Sequence, residues 1–123
     1  MILQPGTKVL ISHRRLYATD HGRYFTGVVD AYEDGVARVT GNTWMHDGYR
    51  GAYKRKDDMR TKIVPIGSGS VIVYQLASDT CLHSLEVKVE GVKMFMRDGQ
   101  GFEMDLTEGV LQDGDGQPAY RVG

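Results

Sequence analysis

Glycine recurs along this chain at short, strand-length intervals, and that spacing limits the possible folds more than any other feature. Sixteen of the 123 residues are glycine, against a usual share of about 7%, and they are scattered rather than gathered in one linker. Asp20-His21-Gly22, Glu33-Asp34-Gly35, Asp47-Gly48, Gly67-Ser68-Gly69, Glu90-Gly91 and Asp98-Gly99 all suit the positive-φ positions of tight turns. Between them lie short β-branched and aromatic runs, which predict strands near 7–17, 23–32, 36–44, 62–65, 71–76, 85–90, 92–96 and 102–106. In Leu85-Glu-Val-Lys-Val-Glu90, apolar and charged residues alternate with period two. No window carries helical periodicity, and one helical turn within 51–59 is the most the pattern allows. The chain reads as all-β.

A chain of 123 residues buries roughly two-thirds of its unfolded surface and needs neither metal nor disulfide to fold. Cys81, the single cysteine, excludes an internal disulfide and fits a reducing compartment. The N-terminus has no signal-peptide pattern, and no apolar run reaches the roughly 20 residues that span a bilayer. A soluble cytoplasmic protein, with no membrane partner, is expected. Fifteen basic residues against sixteen acidic ones argue against a uniformly basic nucleic-acid binder. The charge is unevenly laid, however. Residues 1–62 hold 11 Lys/Arg and 7 Asp/Glu, a surplus of 4, whereas residues 63–123 hold 4 and 9, a deficit of 5.

Gly22-Arg-Tyr-Phe-Thr-Gly27-Val-Val-Asp-Ala-Tyr-Glu33-Asp34-Gly-Val36 resembles the first motif of the Sm/LSm family, in which two glycines and an acidic turn punctuate a strand. Val64-Pro-Ile66-Gly-Ser-Gly69-Ser-Val71-Ile-Val-Tyr74 resembles the second. The resemblance covers roughly residues 7–77 and implies a small SH3-type barrel. A glycine such as Gly27 inside a strand suits the sharp bend that closing a barrel needs. Other SH3-like or OB-like barrels, and a sandwich, satisfy the same glycine pattern. The RNA-binding members carry a stacking residue and an asparagine after the acidic turn, and an arginine before the second motif's glycine. Here Gly35, Ala37 and Ser68 occupy those places. Of the pocket set, Glu33 alone fits, so the resemblance does not bring the usual uridine pocket with it.

A different segment carries the nucleic-acid signal. Residues 49–62 hold six basic and two acidic residues with two tyrosines among them. Cations for phosphates and aromatic faces for bases are what single-stranded nucleic acid requires. Read as a loop, the segment offers Arg50, Lys54, Arg55, Lys56 and Arg60 to phosphate and Tyr49 and Tyr53 to bases. His13, Arg14, Arg15 and Arg23 extend the patch if the first hairpin folds beside it. A solvated loop neutralised by Asp57 and Asp58 is the plainer alternative.

No other constellation specifies chemistry. His13, His21, His46 and His83 show no metal-ligand spacing with one another or with Cys81. Asp113-Gly-Asp115 lacks the remaining ligands of a calcium loop. Gly67-Ser-Gly-Ser70 lacks the lysine and helix of a phosphate loop. Cys81 reads as an inert thiol, and no catalytic residue, cofactor or metal is expected.

Met94 and Met96 share one strand face with Phe95 on the other, and Val71-Ile72-Val73-Tyr74 is likewise apolar on both sides. Such strands are covered twice within the monomer or used for association. The expectation is an Sm-like barrel over 1–77 with a C-terminal β-hairpin or meander over 78–123, packed on the barrel or on a neighbour. Its expected role is a non-enzymatic, homo-oligomeric module that binds RNA or single-stranded nucleic acid. The alternative is a purely structural or protein-interaction module.

Overall fold

Turn residues divide the described residues into eight strands, which assemble as two antiparallel sheets. The computed structural model describes residues 2–14, 22–47, 52–91 and 93–106. The end of the first expected strand, Asp20, His21 and Gly48 of the turns, and the tail with Asp113 and Asp115 lie outside the described residues. The strands are β1 (Lys8–His13), β2 (Arg23–Glu33), β3 (Val36–Asp47), β4 (Ala52–Pro65), β5 (Val71–Gln75), β6 (Glu86–Glu90), β7 (Lys93–Arg97) and β8 (Glu103–Asp105). The first sheet has the order β4-β3-β2-β1-β5, and the second is the meander β6-β7-β8. Helical structure among the described residues is confined to two 3-10 turns, Ile66–Ser68 and Leu82–Ser84.

The turns behave as their residues require. Glu33 pairs with Val36 across a two-residue loop in which Asp34 has φ 50° and Gly35 φ 80°, the double positive φ of a type I′ hairpin. Gly69, at φ 82°, ends the first 3-10 turn in the left-handed region and directs the chain into β5.

Gly27 has a second, unforeseen glycine opposite it. Gly27 and Gly41 are register partners. A Cβ built on Gly41 would overlap the Thr26 carbonyl oxygen, and one on Gly27 would overlap that of Thr40. Neither strand tolerates a side chain there, because the two backbones approach more closely than an ordinary ladder allows.

The segment expected to be a loop is instead β4, 14 residues long. It pairs along nearly the whole of β3, from Val36–Pro65 to Asp47–Ala52. Lys56, Asp57 and Asp58 bulge opposite the single residue Thr43, between the pairs Trp44–Arg55 and Asn42–Met59. Asn42 Nδ2 secures the bulge by donating to the Lys56 carbonyl at 3.0 Å. The bulge breaks the period-two alternation, and an edge strand has only one neighbour to cover it. A strand of this kind carries no apolar alternation for a sequence reading to find.

Alternation along the other strands divides the apolar residues between two cores. Val9 and Ile11 of β1 join Leu3, Phe25, Val29, Ala37, Val39 and Val64 in the first. Leu10, facing the opposite way, joins Tyr24, Trp44, Tyr53 and Leu76 in the second, together with Leu85, Met96 and Leu106 from the C-terminal part. The meander thus packs on the first sheet of its own chain, and the two-sided strands are partly covered within it. Met96 is fully buried, and Val71 and Val73 pack on the first core while Tyr74 packs on the second. Ile72 remains exposed, and so does Val89 at the outer end of the alternating segment.

Polar contacts fasten the meander. Lys8 Nζ donates to the Thr80 carbonyl at 2.6 Å. The buried Asp98 carboxylate accepts the backbone N–H groups of Cys81 at 2.9 Å, Gln100 at 2.7 Å and Phe102 at 2.9 Å. Those donors hold its pKa below the ordinary carboxylate range, the Cys81 N–H contributing most.

Candidate functional site

Directly opposed residues in an antiparallel ladder share a face, so the register shows where each cation of β4 stands. His13 is opposite Arg23, and Ile11 opposite Phe25 and then Thr43. The next row is Gly27, Gly41 and Arg60, and the next is Val29, Val39 and Lys62. Lys54 is opposite Met45 on the same side of the sheet. His13, Arg23, Lys54, Arg60 and Lys62 therefore share the face of the first core, beyond its apolar centre. The other face carries the pairs Trp44–Arg55 and His46–Tyr53.

Two of the residues assigned to binding belong to that second, covered face. Tyr53 is 9% exposed; its hydroxyl donates to the Gly22 carbonyl at 2.7 Å, and its ring meets Tyr24 and His46 edge to face, with centroids 5.0 and 5.3 Å away. It is a core residue with no ring face to offer a base. Arg55 Nη1 donates to the Leu82 carbonyl at 2.8 Å, tying β4 to the segment that leads into the meander. Tyr49, Arg50 and Arg15 lie outside the described residues. Lys54, Lys56 and Arg60 are exposed, as is Arg14. Arg60 Nε is bonded to Asp58 Oδ2 at 2.9 Å, and side-chain bonding to Arg60 holds the Asp58 carboxyl below its ordinary range.

Lys62, which sequence reasoning left out of the binding set, is the most constrained cation of the face. Its Nζ lies 4.6 Å from the centroid of the buried Phe25 ring, two rows along the sheet. Gly27 and Gly41 of the intervening row carry no side chains, so the aliphatic stem crosses over them unobstructed. Burial lowers the pKa of Lys62, aided by the charges of Arg60 and Arg23. Burial also lowers that of the half-buried His13, aided by Lys62 and Arg23. His13 and Arg23 thus join the patch as expected. Among the described residues the ion pairs involve Arg60, Lys88 and Arg97, and no carboxylate pairs with His13, Arg23 or Lys62.

The remaining motif positions are structural. Gly35 forms the hairpin turn and Ala37 is fully buried. The Ser68 hydroxyl is bonded to that of Ser70 at 2.7 Å. Cys81 is half-buried, its thiol pKa lowered chiefly by hydrogen bonding to the Ser84 side chain. Among the described residues there is no group of three His, Cys, Asp or Glu side chains able to hold a metal ion, and no helix long and apolar enough to cross a membrane. Compared with known proteins, the chain matches no family model, no curated protein and no solved structure.

Proposed function

We propose that this chain is a non-enzymatic, Sm-like binding module that takes RNA or other single-stranded nucleic acid across the cationic face of β1, β2 and β4. The observation that carries this reading is the register, which collects Arg23, Lys54, Arg60 and Lys62 with His13 on one face and leaves Asp58 as the sole described carboxylate bonded to any of them. Phosphate contact is the larger part of such binding and needs clustered cations rather than a particular order of residues. The Sm-like assignment is supported by the pairing of β1 with both β2 and β5, which brings the two motif-bearing segments into one sheet. Gly35, Ala37 and Ser68 depart from the family's pocket set, so the reading turns to the cationic face rather than to that pocket.

The test is a salt titration of binding to a fluorescent single-stranded RNA and its DNA counterpart. Binding that weakens with salt is expected. Replacing Arg23, Lys54 and Lys62 by glutamine should flatten the logarithmic slope by roughly 0.7 for each phosphate no longer neutralised. Absence of binding at low salt would overturn the reading. A second reading, a homo-oligomeric interaction module, is favoured by the exposed Met59 and Ile63 on β4 and Ile72 on β5. These strands are the two edges of the first sheet, and an open edge can pair with another copy. A monomeric mass in solution would count against it.

A further inference from the structure

Three basic residues from three strands share the Phe25 end of the first core without a described counter-charge. His13 comes from β1, Arg23 from β2 and Lys62 from β4. The other charged group acting on Lys62 is Arg60, whose guanidinium is bonded to Asp58. A solvated lysine would extend into water. Lys62 instead lies back across the glycine row onto Phe25, towards the row that holds His13 and Arg23. Burial, and after it the neighbouring positive charges, makes both His13 and Lys62 bind their protons less tightly. The partner that offsets those charges is an anion with several acceptor oxygens. A phosphoryl group can take donors from an ammonium, a guanidinium and an imidazole together.

We propose that Lys62, lying over Phe25, and His13 and Arg23 of the adjoining row form a phosphate-binding subsite. The inference deepens the nucleic-acid reading and rests on it for the source of the phosphate, which is either a backbone phosphodiester or a terminal phosphomonoester. Lys62 supplies an ammonium held in place by the Phe25 ring. Arg23 presents a planar fork of donors, and His13 adds a third positive donor when the bound anion raises its proton affinity.

The test follows the His13 ring and Lys62 ammonium signals of the full chain by NMR. The probes are inorganic phosphate, a short oligothymidylate with a 5′-phosphate, and the same oligomer without it. Saturable shifts at both residues are expected with inorganic phosphate, together with an upward move of the His13 titration. Lys62→Gln should weaken phosphate binding about tenfold, the worth of one charge-assisted hydrogen bond. Lys62→Met retains the stem over Phe25 and should weaken it similarly in a protein whose spectrum is otherwise native. Preference for the 5′-phosphorylated oligomer assigns the subsite to a terminal phosphate, and equal binding assigns it to the backbone. Oligomer binding that moves Lys54 and Lys56 but leaves His13 and Lys62 unmoved overturns the subsite and spares the nucleic-acid reading. Phosphate shifts at His13 and Lys62 without oligomer binding overturn that reading and spare the subsite.

Discussion

The two faces of the first sheet are completed in opposite ways. On one, the meander covers Leu10, Tyr24 and Trp44, and two polar side chains find protein partners: Trp44 Nε1 donates to Thr26 Oγ1 at 2.9 Å, and Arg55 to the Leu82 carbonyl. On the other, an apolar centre gives way to His13, Arg23, Lys54 and Lys62, none with a described carboxylate partner. Lys54 and Arg55 are neighbours in sequence and both cationic, yet they stand on opposite faces with opposite roles. The type of residue does not separate a scaffold arginine from an exposed lysine. The register does.

The most severe way to break this contrast is to destroy the sheet that both faces share. Gly41→Val sets a side chain against the Thr26 carbonyl and should cost more than about 4 kcal/mol, read as loss of the folded baseline in urea. Met96→Ala removes a fully buried side chain from the covered face alone and should cost about 2–5 kcal/mol. At temperatures where that variant is folded, oligonucleotide binding should be retained. Arg55→Ala and Lys54→Ala divide the faces most directly. The first should lose about 1–2 kcal/mol, leaving the Leu82 carbonyl without its donor, and keep the salt slope. The second should stay within about 0.5 kcal/mol of the parent and lose slope.

Acid should separate the faces too. Because the folded state lowers the pKa of His13 from 6.5, the unfolded chain takes up that proton first. Stability is therefore lost as pH falls from about 6.5 towards the lower folded value, and His13→Gln should remove that loss. Asp98 works in the window below. Its folded pKa is depressed from 3.8, so its stabilisation is present above that value and fades as pH falls through the folded one. Denaturant melts across pH 3–7 should show an upper step that His13→Gln removes and a lower step that Asp98→Asn removes.

Much of the sheet was legible in the sequence, because turns and buried strands leave local marks. Asp34-Gly35 gave the hairpin turn, and the short β-branched and aromatic runs gave most of the strands, whereas the approach of Gly27 to Gly41 needed the register. The long β4 was not legible. Its edge position and its bulge at Lys56–Asp58 erase the alternation that identifies a strand. The assignment of Tyr53 and Arg55 failed for the same reason: without the strand there is no face, and without a face a basic-aromatic run looks uniformly available. Lys62 was passed over because its environment depends on Phe25, Gly27 and Gly41, which only the register brings beside it.

The glycine pair has one more consequence, for recognising relatives of this chain. Each member forbids a side chain because of the backbone opposite, so neither position can be relaxed by changing the other. Drift at 27 and 41 is blocked separately, and insertions between them must preserve their opposition across the hairpin. One glycine seven residues before the Asp of an Asp-Gly turn and another six after its Gly, with a lysine one row beyond on the strand that pairs next, make a search key that outlasts the loss of overall similarity. It would find chains sharing this bend and this crossing lysine even where every exposed residue has diverged.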